Sequence, residues 1–155
     1  MMYELLLPLH SLFRWLVLFR LFCAVFTALF AYVKGSPFSK WHNSLRHWTA
    51  TIAHIQLMLG ILIYTKSPLV KAFFSAPADH GGRAGFSFFA VVHLGLMLLS
   101  IVLITIGSAK AKRQQESAEK FKTMLVWFSI ALLIILAAIP WPFSPLASRP
   151  YFRNF

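Results

Sequence analysis

Hydrophobic residues in this chain fall in four long continuous stretches and not in an alternating pattern. The stretches are Leu5–Val33, Thr49–Tyr64, Gly85–Gly107 and Phe121–Ile139. A helix needs about 20 mostly apolar residues to cross the hydrocarbon core of a bilayer, and continuous apolar runs argue against a transmembrane β-barrel. Pro140 and Pro142 end the last stretch, because proline terminates a helix. The pattern predicts an all-α, four-helix transmembrane bundle that forms a single domain over residues 1–155.

Composition supports the membrane interpretation and limits the classes of function. Of the 155 residues, 59% are hydrophobic and only 12% are charged, whereas a soluble domain carries about 25% charged residues. The net charge of +11 would suit nucleic acid, but a chain this apolar cannot present a water-facing surface for it. We therefore expect the lipid bilayer as a partner and no nucleic acid.

The distribution of positive charge predicts an orientation in the membrane. Eight Lys and Arg residues lie in the first and third connections between the stretches, and five lie in the second connection and the C-terminal tail. Cytoplasmic connections of membrane proteins carry the excess of Lys and Arg. The count therefore predicts that both termini lie on the non-cytoplasmic side.

Two histidines within the predicted spans are the strongest candidates for chemistry, because ionisable groups in a membrane are costly and by default functional. His54 lies eleven residues before Thr65, and His93 lies eight residues after Gly85, so at 1.5 Å per residue both have similar predicted depths. Axial imidazoles from two facing helices can hold the iron of a b-type haem. We predict one haem b with His54 and His93 as metal ligands. The alternative is that both histidines merely form hydrogen bonds between helices.

Helix 1 adds three further candidate cofactor-binding residues. Arg14 and Arg20 lie within the first stretch, and His10 lies one helical turn before Arg14. Because no acid lies within a predicted span, Arg20 needs a backbone carbonyl, a lipid phosphate, another subunit or a bound anion as its partner. Haem propionates would supply that negative charge. His10 has three open roles: iron ligand, partner of a propionate or quinone, and interfacial residue.

The single cysteine narrows the chemistry further. Cys23 lies inside helix 1 and no C-x-x-C-H sequence is present, so a covalently attached c-type haem is excluded. Cysteine-based metal sites and intrachain disulfides are excluded as well.

Several short motifs resemble a known family. They are Leu9–Trp15 (LHSLFRW), Ala53–Leu57 (AHIQL), Val92–Leu94 (VHL), Ile104–Ser108 (ITIGS) and Ile139–Phe143 (IPWPF). These stretches are similar to small four-helix membrane proteins of Bacteroidota labelled cytochrome b. The resemblance implies a multi-pass protein of the bacterial inner membrane that carries haem and transfers electrons. It favours His10, His54 and His93 and does not say which two of them bind iron.

A fainter resemblance points to an enzyme. Leu9-His10 is similar to the L-H motif early in helix 1 of the four-helix membrane protoporphyrinogen oxidases. The W-x-x-x-K pattern that these enzymes have at the start of helix 3 is replaced here by Phe89–His93 (FAVVH).

Three functions therefore stand as predictions. The first is a bis-histidine cytochrome that relays electrons to or from a quinone, a redox partner or a larger membrane complex. The second is an oxidase acting on a tetrapyrrole or a quinol. The third is an accessory subunit without haem, so whether the chain is an enzyme stays open.

Overall fold

The computed structural model describes residues 2–75, 86–144 and 149–151. All secondary-structure elements within these residues are helices: α1 at Met2–Val33, α2 at Lys40–Lys66, α3 at Pro68–Ser75, α4 at His93–Arg113 and α5 at Ser117–Ala138. A π-helical turn, Phe88–Val92, leads directly into α4. The predicted all-α class is confirmed.

Four of these helices are long and apolar enough to cross a membrane. They are α1 with 32 residues, α2 with 27, α4 with its π-helical turn with 26, and α5 with 22. These four correspond to the four stretches predicted from the sequence, so the four long apolar helices are confirmed, and they suggest a multi-pass membrane protein. The short helix α3 was not predicted, and Gly85, the predicted first residue of the third helix, lies outside the described residues.

Contacts between helices show that sequential membrane helices run antiparallel. Gln56 near the end of α2 reaches His10 near the start of α1, and Arg46 near the start of α2 reaches Ser108 near the end of α4. His93 at the start of α4 contacts Ala138 at the end of α5. We call the end of the bundle where α1 begins and α5 stops the termini end, and the opposite end the loop end.

Helix α2 begins at Lys40, nine residues before the predicted start at Thr49, because a capping box fixes its N-terminus. Ser39 Oγ accepts a hydrogen bond from the His42 backbone N–H, and His42 Nδ1 accepts one from the Ser39 backbone N–H. Such reciprocal bonds satisfy two N–H groups that lack partners within the helix. The first two turns of α2 are polar, so hydrophobicity alone did not reveal them.

Replacing Ser39 with alanine is expected to destabilise the start of α2 by about 1 kcal/mol, the usual cost of losing an N-cap side chain. The thermal unfolding midpoint in detergent, followed by circular dichroism, measures the loss. Ser36→Ala is the matched control, because Ser36 precedes the cap. Equal midpoints for the two variants would contradict the capping role of Ser39.

The core lies along the inner faces of α1, α4 and α5. Leu21, Ala24 and Ala28 of α1 are fully buried, as are Phe121 and Phe128 of α5. The outer face of α1 carries exposed apolar side chains, namely Leu12, Leu16, Phe19, Phe22, Phe26 and Phe30. A large exposed apolar surface on a long helix is costly in water, so these faces suggest a lipid environment.

A buried cation ties α2 to α4 at the loop end. The Arg46 guanidinium donates hydrogen bonds to the backbone carbonyl and the hydroxyl of Ser108 and to Asn43 Oδ1. The side chain is only 5% exposed, and burying a charge is tolerated when its donors are satisfied. Arg46 therefore has a structural role, and neutral oxygen acceptors satisfy its guanidinium in place of a carboxylate.

Candidate functional site

A cavity of about 180 Å³ opens at the termini end of the bundle. It is bounded by α1, α2, α3, the start of α4 and the segment after α5, and most of its wall is apolar. Its polar lining residues are Tyr3, His10, Ser11, Arg14, Gln56, Tyr64, Ser67, His93 and Arg149. None of the described residues that line it is acidic. An apolar cavity with a few convergent polar groups is the usual form of a cofactor or small-molecule site.

His10 enters the cavity wall from α1 and rests against α2. A Cβ atom at Gly60 would lie 3.3 Å from His10 Cε1, so the absent side chain of Gly60 leaves the space that the imidazole uses. Gln56 Nε2 donates to the His10 backbone carbonyl at 3.0 Å and fixes the backbone beside it. His10 Nδ1 is buried and has no hydrogen-bond partner among the described residues. Buried polar atoms are rarely left without a partner, so this nitrogen indicates a group that the protein binds.

His93 enters from the start of α4 with its ring orientation fixed. The ring contacts the Ala138 carbonyl through Nδ1 at 2.9 Å, and a carbonyl can only accept, so Nδ1 carries the proton. Nε2 is then left with a lone pair. Metal-bound histidines commonly donate their second nitrogen to a backbone carbonyl in this way. The π-helical turn at Phe88–Val92 precedes His93, and such turns are frequent at functional sites.

Two arginines bring positive charge to the cavity. Arg14 donates hydrogen bonds to Ser11 Oγ and to the Tyr151 carbonyl, which also accepts from Trp15 Nε1. The Arg149 guanidinium lies 5.1 Å from the centroid of the Phe89 ring. The segment after α5 thus folds back over the start of α1 and carries Arg149 to the cavity.

The two imidazoles and Arg14 share one cavity. His10 and Arg14 line it from α1, and His93 lines it from the start of α4. The sequence placed His10 beside Arg14 by their spacing on α1; the fold adds His93 from α4. The cavity can therefore offer two nitrogen ligands and a cation to one bound molecule.

His54 does not line this cavity. Its Nε2 lies 3.1 Å from Thr105 Oγ1 on α4, and its Nδ1 lies 2.7 Å from the Ala50 carbonyl. Thr105 is twelve residues beyond His93, which is about 18 Å along the helix. We predicted a similar depth for His54 and His93, but the structure places them at different depths. The predicted helix ends differ from the observed ends, and His54 is an exposed residue of α2 that contacts Thr105 of α4.

Arg20 also lies apart from the cavity. It lines a separate pocket between α1 and α2, together with two tryptophans and Ser44. Of the five site residues predicted from the sequence, the fold brings together His10, Arg14 and His93, and it places His54 and Arg20 elsewhere. The roles assigned to His54 and Arg20 stay predictions.

Gly60, Tyr64 and Arg149 were not among the predicted site residues. Gly60 makes room for a ring on another helix, and no spacing within one helix reveals such a contact. Tyr64 lines the cavity and donates to the Ala90 carbonyl at 3.1 Å. Arg149 is one of two arginines in the C-terminal tail, and only the path of that tail distinguishes it.

The described residues contain no cluster of three or more His, Cys, Asp or Glu side chains that could hold a metal ion. A site that uses two axial imidazoles does not require such a cluster. No family model, curated protein or solved structure matches the chain.

Proposed function

We propose that this protein is a membrane cytochrome that holds one haem b at the termini end of its bundle. His10 and His93 would hold its iron, and the task of the protein would be electron relay. The observation that carries the proposal is the pairing of two imidazoles from different helices, α1 and α4, in one apolar cavity whose described lining has no acid.

The residues present fit a haem in three respects. His10 Nδ1 is buried without a partner among the residues described, and His93 already donates its Nδ1 proton to Ala138 as an iron-bound imidazole commonly does. Arg14 and Arg149 supply positive charge that would balance two propionates. The apolar remainder of the wall suits the porphyrin ring in chemistry, since that ring is itself largely apolar, but the cavity of about 180 Å³ would have to widen to admit the whole ring.

A bound haem would supply one-electron redox chemistry at its iron. The residues of this chain would determine how that chemistry is used. Two histidine ligands would leave the metal no open position, which favours electron transfer over oxygen chemistry. The apolar wall would exclude water, and Arg14 would favour a bound anion. A quinone, a redox protein or a larger membrane complex would be the partner in transfer.

Location forms part of the same proposal. The loop end carries the larger number of Lys and Arg residues, so we place it in the cytoplasm and both termini outside. The haem would then lie toward the non-cytoplasmic side of a bacterial inner membrane. The likeness to the cytochrome b family stays a prediction and is consistent with this arrangement.

The reduced-minus-oxidised absorption spectrum of protein purified from membranes tests the proposal. We expect an α-band of b type and one haem per chain by haem extraction. Colourless protein that co-purifies with a larger complex would contradict the proposal and favour the accessory subunit. Rescue of a strain that lacks protoporphyrinogen oxidase by the haem-free protein would favour the enzyme.

A further inference from the structure

A second pocket, of about 340 Å³, lies between α1 and α2 and is separate from the cavity of His10 and His93. Its lining residues are Leu16, Arg20, Trp41, Ser44, Leu45, Trp48 and Ile52. The proposed haem makes no use of any of them, so the pocket needs its own explanation.

Arg20 is the residue in this pocket that indicates a ligand. Its Nε atom is buried and has no hydrogen-bond partner among the residues that the structure describes. No described lining residue is acidic, so the pocket offers this cation no carboxylate. A guanidinium N–H is a strong donor whose preferred partners are carboxylate and phosphate oxygens. An anion that reaches Arg20 from outside the chain would satisfy it.

The pocket changes from polar to apolar along its length. Trp41 and Ser44 lie within the first five residues of α2, close to the loop end, while Leu16 and Ile52 lie further toward the middle of the bundle. A ligand that follows this gradient has a charged head near the membrane surface and an apolar chain that enters the bilayer.

The two tryptophans match the position of a lipid headgroup. Trp41 is 60% exposed and Trp48 is 51% exposed, so neither indole is packed into the core. Tryptophan is enriched at the level of the headgroups, where the ring contacts acyl chain and the N–H meets polar groups. The flanking Lys34 and Lys40 add positive charge at the same end, which attracts anionic lipid.

We infer that this pocket binds the phosphate of an anionic glycerophospholipid from the leaflet at the loop end. Arg20 donates to the phosphate, Ser44 and the tryptophans border the headgroup, and one acyl chain lies along Leu16 and Ile52. The inference does not depend on the haem, because the two sites share no residue.

Quenching of tryptophan fluorescence by brominated lipids tests the inference. The full-length protein is reconstituted in phosphatidylcholine vesicles that contain increasing fractions of phosphatidylglycerol, with bromine on the acyl chains of one lipid at a time. Brominated phosphatidylglycerol is expected to quench at a mole fraction about fivefold lower than brominated phosphatidylcholine, the preference that one cation near the surface provides. Trp41→Phe combined with Trp48→Phe should remove most of the preferential quenching.

Arg20→Gln should abolish the preference for phosphatidylglycerol, while Lys112→Gln should retain it. Lys112 is the matched control because its replacement removes the same charge from the loop end, in the last turn of α4, at a residue that does not line the pocket. Equal quenching by both lipids in the unmodified protein would overturn the inference, as would equal effects of the two variants. Loss of the preference on addition of inorganic phosphate would assign the pocket to the free ion. If the unmodified protein showed no lipid preference but formed crosslinked dimers that Arg20→Gln abolished, the pocket would instead bind a second copy of the chain.

Discussion

Replacing His10 or His93 with alanine is expected to lower the haem content of the purified protein by at least about tenfold, since even loss of an outer-shell partner of a metal-bound histidine weakens binding 10–100-fold. The two residues come from α1 and α4 and line one cavity, so each would supply one axial position. The b-type α-band measured per mole of protein gives the result directly. Residual haem in either variant should show altered ligation in its spectrum.

His54→Ala is the matched control for these two variants. It removes an imidazole of the same size from a transmembrane helix, but His54 contacts Thr105 and does not reach the cavity. We expect the α-band of His54→Ala to be unchanged. Loss of the band in His54→Ala with its retention in His10→Ala would contradict the proposed ligand pair and restore the pair first predicted from the sequence.

Chemical rescue distinguishes a variant that fails to fold from a variant that folds but lacks a histidine ligand for the haem. His93→Gly leaves space where the imidazole was, so added imidazole can occupy the vacant position. Recovery of the α-band with imidazole would identify His93 as a ligand. Absence of recovery in a variant that elutes from a sizing column like the unmodified protein would count against ligation.

The membrane class and the four long helices could be predicted because they follow from local properties of the sequence. A continuous apolar run predicts a membrane helix without knowledge of its neighbours, and Pro140 marks the end of the last run. The start of α2 could not be predicted in this way. The capping box of Ser39 and His42 extends this helix through polar residues, and hydrophobicity gives no signal there.

The site was predictable in its residue types and only partly in its geometry. Histidines and arginines within apolar stretches are rare, so their positions in the sequence identified His10, Arg14 and His93 as candidates, along with His54 and Arg20. Which of them meet depends on the rotation and axial position of each helix. Depth counted from assumed helix ends paired His54 with His93, whereas the contact between His54 and Thr105 separates the two by three helical turns. The contact of Gly60 with His10 joins two helices, so the sequence pattern of either helix alone cannot predict it.

The chain has few acidic residues, so the positions of its arginines show which other groups accept their hydrogen bonds. Arg46 is satisfied by Ser108 and Asn43 within the bundle, which shows that this chain can bury a cation with neutral acceptors. Arg14 and Arg20 instead line two different pockets. Of these three arginines, Arg46 ties α2 to α4, whereas Arg14 and Arg20 each line a pocket.

The fold that supports both sites depends on a close approach of α4 to α5 at Gly107. A Cβ atom at this position would clash with the Trp127 Cβ and lie 3.0 Å from its Cγ. Neither atom is the flexible end of a side chain, so the two helices would have to separate. Gly107→Ala is expected to destabilise the protein by about 1–3 kcal/mol, the usual cost of overpacking a core.

Gly95→Ala on the same helix is the matched control, because nothing lies within 4 Å of the position its Cβ would take. Alanine favours a helix over glycine by about 1 kcal/mol, so this variant should unfold at the same temperature as the unmodified protein or higher. Thermal unfolding in one detergent, followed by circular dichroism, compares the two. If Gly107→Ala matched Gly95→Ala, close contact between α4 and α5 would not be needed for stability. A lower midpoint for Gly107→Ala alone would show that close contact between α4 and α5 near the loop end stabilises the protein. The same two helices carry His93 and Ala138 at their opposite ends.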